Sequence, residues 1–377
     1  MTGPVWLLAR RNLLRNRVRL VASIGGVALA LSLVLALNAI VAGISAQMTT
    51  YIDSAGADVW VAQAGVHNLH MAASSMPDSA VAAIRGVSGV AKASPILYAT
   101  ETLSANGQRQ VAYVIGLPSD ATLGLPAAIR EGKAIPGPGE VVVGVDFANL
   151  AHVGIGDAVT VFRRDLRIVG ISASEGNLLN TVAFVSFDDF ARAQGLTGVV
   201  SFVLVQTAPG ASADAVATAI ERSVPGISAL SRPAFAQQER QLVMSMAGDV
   251  ISMMNAIGFA VGLAVIALTV YIATLSRKRE YGLLKALGAQ SRVLYGVVLA
   301  QAGLSVALGF LAALTFTAVL ALVVPATGLP LSLSLEPAAV LNVALVAAVI
   351  AGLSSLLPVR QVANIDPAIV FKKGVAL

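Results

Sequence analysis

Residues 20–45 read LVASIGGVALALSLVLALNAIVAGIS, 26 residues without a charged side chain. A helix rises about 1.5 Å per residue, so roughly 20 apolar residues cross a hydrocarbon core about 30 Å thick. Three more stretches pass the same test: Val250–Ser276, Val297–Val324 and Glu336–Leu357. Composition agrees, with 56% hydrophobic residues, 12% charged residues and a mean hydropathy of +0.81. The sequence therefore predicts an integral membrane protein with four transmembrane helices, at 20–45, 249–276, 296–324 and 336–357, and one large domain, 46–248, inserted between the first two. The first apolar run is much longer than the core of a secretory signal, so Ile44-Ser45-Ala46, which resembles a cleavage site, is read as part of an uncleaved anchor.

Charge sets the expected orientation, because Lys and Arg in short loops stay on the cytoplasmic side. Residues 1–19, the 277–295 loop and the 358–377 tail together carry 13 basic residues against only Glu280 and Asp366. Between Ser45 and Gly248 the balance reverses, with 12 basic and 16 acidic residues. Both termini are expected in the cytoplasm of a bacterial plasma (inner) membrane, the large domain outside it, and 325–335 as a short external turn. The basic pI of 9.7 could suggest nucleic-acid binding, but the positive charge is confined to membrane-flanking segments, which excludes that class. No cysteine is present, so the inserted domain must cohere by core packing without disulfides.

Short alternating apolar runs bounded by Gly and Pro dominate 46–248, as half-buried strands require. They lie at Ala57–Gln63, Ala93–Leu103, Gln110–Leu117, Glu140–Val145, Ala158–Phe162, Leu166–Ile171, Val182–Phe187 and Ser201–Thr207. Helices are expected at Pro77–Gly86 and Ala211–Val224, each with start and stop signals. The stretch 78–85 (DSAVAAIR) echoes 213–222 (ADAVATAIER), and each lies between strands. The expected fold is an α+β domain: a split ferredoxin-like part, with a strand-rich insertion at about 118–199 between its halves.

No phosphate-cradling Gly-x-x-x-x-Gly-Lys-Ser/Thr, no Gly-x-Ser-x-Gly elbow and no His-Glu-x-x-His pair occurs, so the chain is not expected to be an enzyme or to hold a cofactor of its own. His67, His70, Met71 and Met76 are types that suit a soft metal or haem; a polar loop with methionines packed beneath it is the plainer reading. Methionines also gather at Met244, Met246, Met253 and Met254, where adaptable thioethers suit either cargo contact or helix packing. Asn38, Asn255, Gln301 and Asn342 fall within the spans, where polar groups are costly unless they pair across helices or line a pathway.

The most informative short stretch is RKREYGLLKALGA, residues 277–289. At about 100° per residue, Leu283, Leu284 and Leu287 share one face and Lys278 and Lys285 lie opposite, with Glu280 on the leucine side. This stretch resembles the coupling loop of MacB/FtsX-like ABC transporter permeases. The start, ARRNLLRN at 9–16, and the tail, with LPVR at 357–360 and IDPA at 365–368, resemble that family's ends. Residues 4–18 are expected to lie on the membrane surface.

The resemblance implies a homodimer docked to two copies of a separate ABC-type ATPase, which would bind ATP and Mg, with membrane lipids around it and in some systems an extracytoplasmic adaptor. Arg279, Glu280, Gly282, Leu283, Leu284, Leu287 and Gly288 would then contact the ATPase. It further implies export or extraction by mechanotransmission, in which ATPase closure moves the spans and the outer domain together. The alternative within the family is an FtsX-like regulator that transports nothing and activates an extracytoplasmic partner. Cargo is not legible from the residues.

Overall fold

The computed structural model describes residues 17–173, 180–276, 278–326 and 333–363. They form two compact units: residues 43–246, and a helical unit made of 17–42, 247–326 and 333–363. Helix α1 (Arg17–Ser54) is followed by β1 (Val59–Gln63), β2 (Met76–Pro77), α2 (Ser79–Arg85), β3 (Val90–Ala105), β4 (Gln108–Leu117), β5 (Ile129–Gly132), β6 (Glu140–Gly144) and α3 (Val145–Ala151). Next come β7 (Ala158–Val161), β8 (Arg164–Ser172), β9 (Asn180–Ser186), α4 (Phe187–Gln194), β10 (Val199–Val200), β11 (Phe202–Thr207), α5 (Ala213–Ser223) and β12 (Ile227–Ser231). The remaining elements are α6 (Arg232–Leu275), α7 (Lys278–Ala286), α8 (Ser291–Ala326), α9 (Pro337–Ser354) and α10 (Leu356–Ala363).

In the inserted domain, β1-α2-β3 and β11-α5-β12 form the two halves of a ferredoxin-like fold. Their strands stand in the order β12-β1-β11-β3, every neighbour antiparallel. Alternation along the strands explains why both faces are apolar. Val59 and Val61 of β1 and Val203 and Val205 of β11 point to one face, where Ile84 of α2 and Ile220 of α5 cover them. Trp60 and Leu204 point to the other, where they meet Tyr51 and Ile52 from the end of α1 and Phe235 from the start of α6. Trp60 stacks on Phe235 with centroids 5.1 Å apart. The C-terminal third of α1 and the N-terminal third of α6 are thus part of this domain, extending helices that hydropathy places only within the bilayer.

The insertion is welded to the ferredoxin-like half by one long strand. Residues 90–96 of β3 pair with β11, and from Leu97 onward the strand pairs with β4. The sheet then continues β4-β9-β6-β8-β5, so the strand-rich part begins inside β3, upstream of residue 118. Its core holds Phe147 of α3 and Phe190 of α4 against Val141, Val143, Ala183 and Val185. Four elements have no counterpart among the sequence-predicted strands: β2, β5, β10 and β12. Three are four residues or shorter, too short to show alternation.

Among the described residues four stretches are long and apolar enough to cross a membrane: Ile24–Ser54, Gly248–Ile272, Ser291–Ala326 and Pro337–Arg360. Their faces show no amphipathic period because lipid, like a protein core, is apolar; side-chain size decides what packs inside. A Cβ on Gly309 of α8 would lie 2.5 Å from Val27 Cγ1, and one on Gly26 would lie 2.5 Å from Val265 Cγ1. Glycine at these crossings lets α1 approach α6 and α8. Asn38 Nδ2 donates to Asn255 Oδ1 at 3.2 Å, tying α1 to α6 by the side-chain pairing a polar group in lipid requires.

Candidate functional site

Helix α7 is short, nine residues, and would not persist alone; tertiary packing holds it. Tyr281 is 3% exposed and Leu284 packs beside it, in the same apolar cluster as Leu294 and Val298 of α8. The leucine face expected from the sequence is therefore split. Leu284 turns inward with Tyr281, while Leu283 and Leu287 remain 49% and 76% exposed. Glu280 is exposed too. At about 100° per residue Glu280, Leu283 and Leu287 fall within a sector of roughly 60°, so one exposed face carries a carboxylate at the edge of two leucines. Lys278 and Lys285 lie on the other side. Gly282 is buried, and the side chain of Arg279 lies outside the described residues.

The helix stops sharply. Gly288 has φ of +90°, Ala289 N–H donates to Leu284 O at 2.9 Å and Gly288 N–H donates to Lys285 O at 3.1 Å. This is the Schellman arrangement, in which a left-handed residue after the helix lets two orphan carbonyls be satisfied. Glycine at 288 is thus required by the backbone, and by stopping the helix it leaves Leu287 at the exposed end.

The histidines and methionines of the inserted domain are not brought together. His67 is exposed, Met71 is 60% exposed, and Met76 is 1% exposed beneath α2. Among the described residues no group of three His, Cys, Asp or Glu side chains could hold a metal. His70 instead belongs to a buried cluster. Its Nδ1 lies 2.8 Å from Oε1 of Glu239, and Oε2 of the same carboxylate accepts from Leu69 N–H at 2.7 Å. Glu239 is fully buried, and the imidazole packs on Tyr113 with centroids 4.2 Å apart. Tyr98 stands beside them, its phenol pushed well above the ordinary range by burial first and by neighbouring Tyr113 second. The carboxylate thus fastens the 64–75 loop to α6. Sequence reasoning could not find Glu239: its partner lies 169 residues away and no local pattern surrounds it. Met253 is 59% exposed on α6 and Met254 half-buried; the side chains of Met244 and Met246 lie outside the described residues.

Four membrane-crossing helices, a split ferredoxin-like domain between the first two and a short packed helix between the second and third define a permease-type architecture. The chain belongs to the MacB/FtsX-like family of ABC transporter permeases: the MacB-like periplasmic core domain matches residues 20–223, and the FtsX-like permease C-terminal domain matches residues 252–367. Over 370 residues it is 25% identical to an uncharacterized ABC transporter permease of Mycobacterium tuberculosis, covering 96% of this chain and 98% of that one. A second uncharacterized ABC transporter permease of the same species is 24% identical over 365 residues, covering 96% and 98%. Among solved structures, the extracellular domain of the ABC-type transporter YknZ from Gram-positive bacteria has a TM-score of 0.37 at 14% identity, covering 46% of this chain and 98% of that one. The periplasmic region of MacB from Actinobacillus actinomycetemcomitans has a TM-score of 0.39 at 11% identity, covering 50% and 94%.

Proposed function

We propose that this chain is the membrane subunit of an ATP-driven exporter or extractor that works by mechanotransmission. In this reading the permease is a homodimer in the bacterial plasma membrane, with both termini and α7 cytoplasmic and the inserted domain outside. Two copies of a separate ABC-type ATPase supply ATP and Mg binding. The observation that carries the reading is the exposed Glu280, Leu283 and Leu287 face on a helix anchored by Tyr281 and Leu284. Exposed leucines beside a carboxylate suit a groove on a partner that offers apolar walls and a cation. A packed anchor on the adjoining face lets force applied there reach α8 instead of bending a loop.

Charge reversal tests it. Glu280→Lys places like charge against the expected cation, a change that costs several kcal/mol at a well-packed interface, about a hundredfold or more in affinity. The complex should fail to assemble, or assemble with ATP hydrolysis uncoupled from cargo, in a variant shown to insert and dimerise normally. Lys278→Glu, on the other side of α7, should change little. Normal assembly and transport by Glu280→Lys, with loss in Lys278→Glu, would put the docking face on the wrong side.

A further inference from the structure

The helical unit contains a cavity of about 490 Å³ bounded by α1, α6 and α9. Its size falls within the roughly 300–1,000 Å³ of small-molecule sites. Polar groups are confined to one end. There Asn38 and Asn255 form their hydrogen-bonded pair, and Asn342 and Glu336 join them in the lining. The other end is formed by Leu31, Phe259, Val346 and Ile350, without a polar side chain. From Asn342 to Ile350, α9 advances eight residues, about 12 Å at 1.5 Å per residue.

The charge at the polar end is unbalanced. Glu336 is the N-cap residue of α9, yet its side chain makes no capping hydrogen bond, and among the described residues it forms no ion pair. Among the described residues no Lys or Arg lines the cavity. Ser334 N–H donates to Ala39 O at 3.0 Å, which holds the segment carrying Glu336 against α1 beside Asn38. A carboxylate and three amides at the mouth of an apolar slot select by charge and by hydrogen bonding: a cationic head that donates hydrogen bonds is attracted, and an anionic head is repelled.

We propose that this cavity binds an amphiphile with one long apolar chain and a primary ammonium head, the chain lying between Phe259 and Ile350 and the head between Glu336 and the three asparagines. The site rests on the membrane-spanning architecture alone, so its failure leaves the ATPase-coupling reading untouched. A bilayer lipid with an amine head and a free long-chain amine share this chemistry.

The test uses the full chain in phosphatidylcholine nanodiscs and dodecylamine carrying a diazirine at the end of its chain. After photolysis, label should concentrate on Phe259, Val346 and Ile350. Excess dodecylamine should compete and dodecanoate should not. Glu336→Gln should weaken labelling roughly tenfold, the size expected for losing a charge-assisted hydrogen bond, and Glu336→Asp should restore most of it. Because Glu336 caps nothing with its side chain, neither variant is expected to disturb the fold, and Val346→Trp supplies a second check by filling the slot. Adding phosphatidylethanolamine to the disc distinguishes the sources: competition assigns the head to a lipid, and none assigns it to a free amine. Label spread evenly over all four helices overturns the proposal, as do equal competition by dodecanoate and undiminished labelling in both Glu336→Gln and Val346→Trp. A cross-link between Ala339→Cys of two copies, showing the cavity filled by a second protomer, also overturns it.

Discussion

Glu239 shows what a single buried side chain does in this protein. One carboxylate accepts from Leu69 N–H and meets the His70 imidazole, both deep in the inserted domain. Truncation leaves two buried polar groups without a partner, each costing about 1–3 kcal/mol. Glu239→Ala should therefore lower the stability of the inserted domain by about 2–6 kcal/mol, read as a lower urea midpoint of Trp60 fluorescence in a chain with Trp6 replaced by Phe. Glu239→Gln, which keeps one acceptor, should lose less. An unchanged midpoint for Glu239→Ala would mean that the carboxylate does not hold the loop. The sequence exposed His70 as a candidate because histidine is rare here, but its pairing depends on tertiary proximity that no local spacing encodes.

At the scale of elements, the helical unit depends on glycine where helices cross. Gly309 faces Val27 so closely that a larger side chain has nowhere to go. Overpacking of this kind typically costs about 1–3 kcal/mol. Gly309→Leu should lower the melting temperature of the detergent-solubilised chain, whereas Gly303→Leu, where nothing lies within 4 Å, should not. Equal effects at both positions would contradict the packing described.

The elements also separate what the sequence encodes locally from what it does not. Strands such as β4 and β11 were legible because their alternation spans six or more residues, and α2 and α5 because start and stop signals bound them. The soluble ends of α1 and α6 were not: hydropathy ends a span where the lipid ends, although the helix runs on and buries Tyr51 and Phe235 against the sheet. On α7 the sequence grouped the three leucines on one face, and the structure separates them. A helical wheel puts Leu284 with Leu283 and Leu287, but the aromatic ring of Tyr281 decides which side is buried and draws Leu284 with it.

At the scale of the molecule, function depends on which side of the membrane each part occupies. The charge asymmetry along the chain predicts the inserted domain outside and α7 inside. The chain has no cysteine, so single introduced thiols are clean probes. Ser119→Cys in the inserted domain and Gln290→Cys beside α7 are both at exposed positions. A membrane-impermeant maleimide applied to intact cells, with the outer membrane permeabilised where one is present, should label the first and spare the second. The reverse pattern would invert the topology and remove α7 from reach of any cytoplasmic ATPase.

In the proposed function, force received at α7 moves the inserted domain. It is tested most directly by the distance between spin labels at Ser119→Cys in the two copies of the proposed homodimer, reconstituted in lipid with the proposed ATPase partner and measured with and without a non-hydrolysable ATP analogue. The account predicts a defined inter-copy distance that shifts when nucleotide binds, and no shift when Glu280→Lys is introduced into the same assembly. A distance that ignores nucleotide in the native assembly, or that shifts equally in Glu280→Lys, would contradict it.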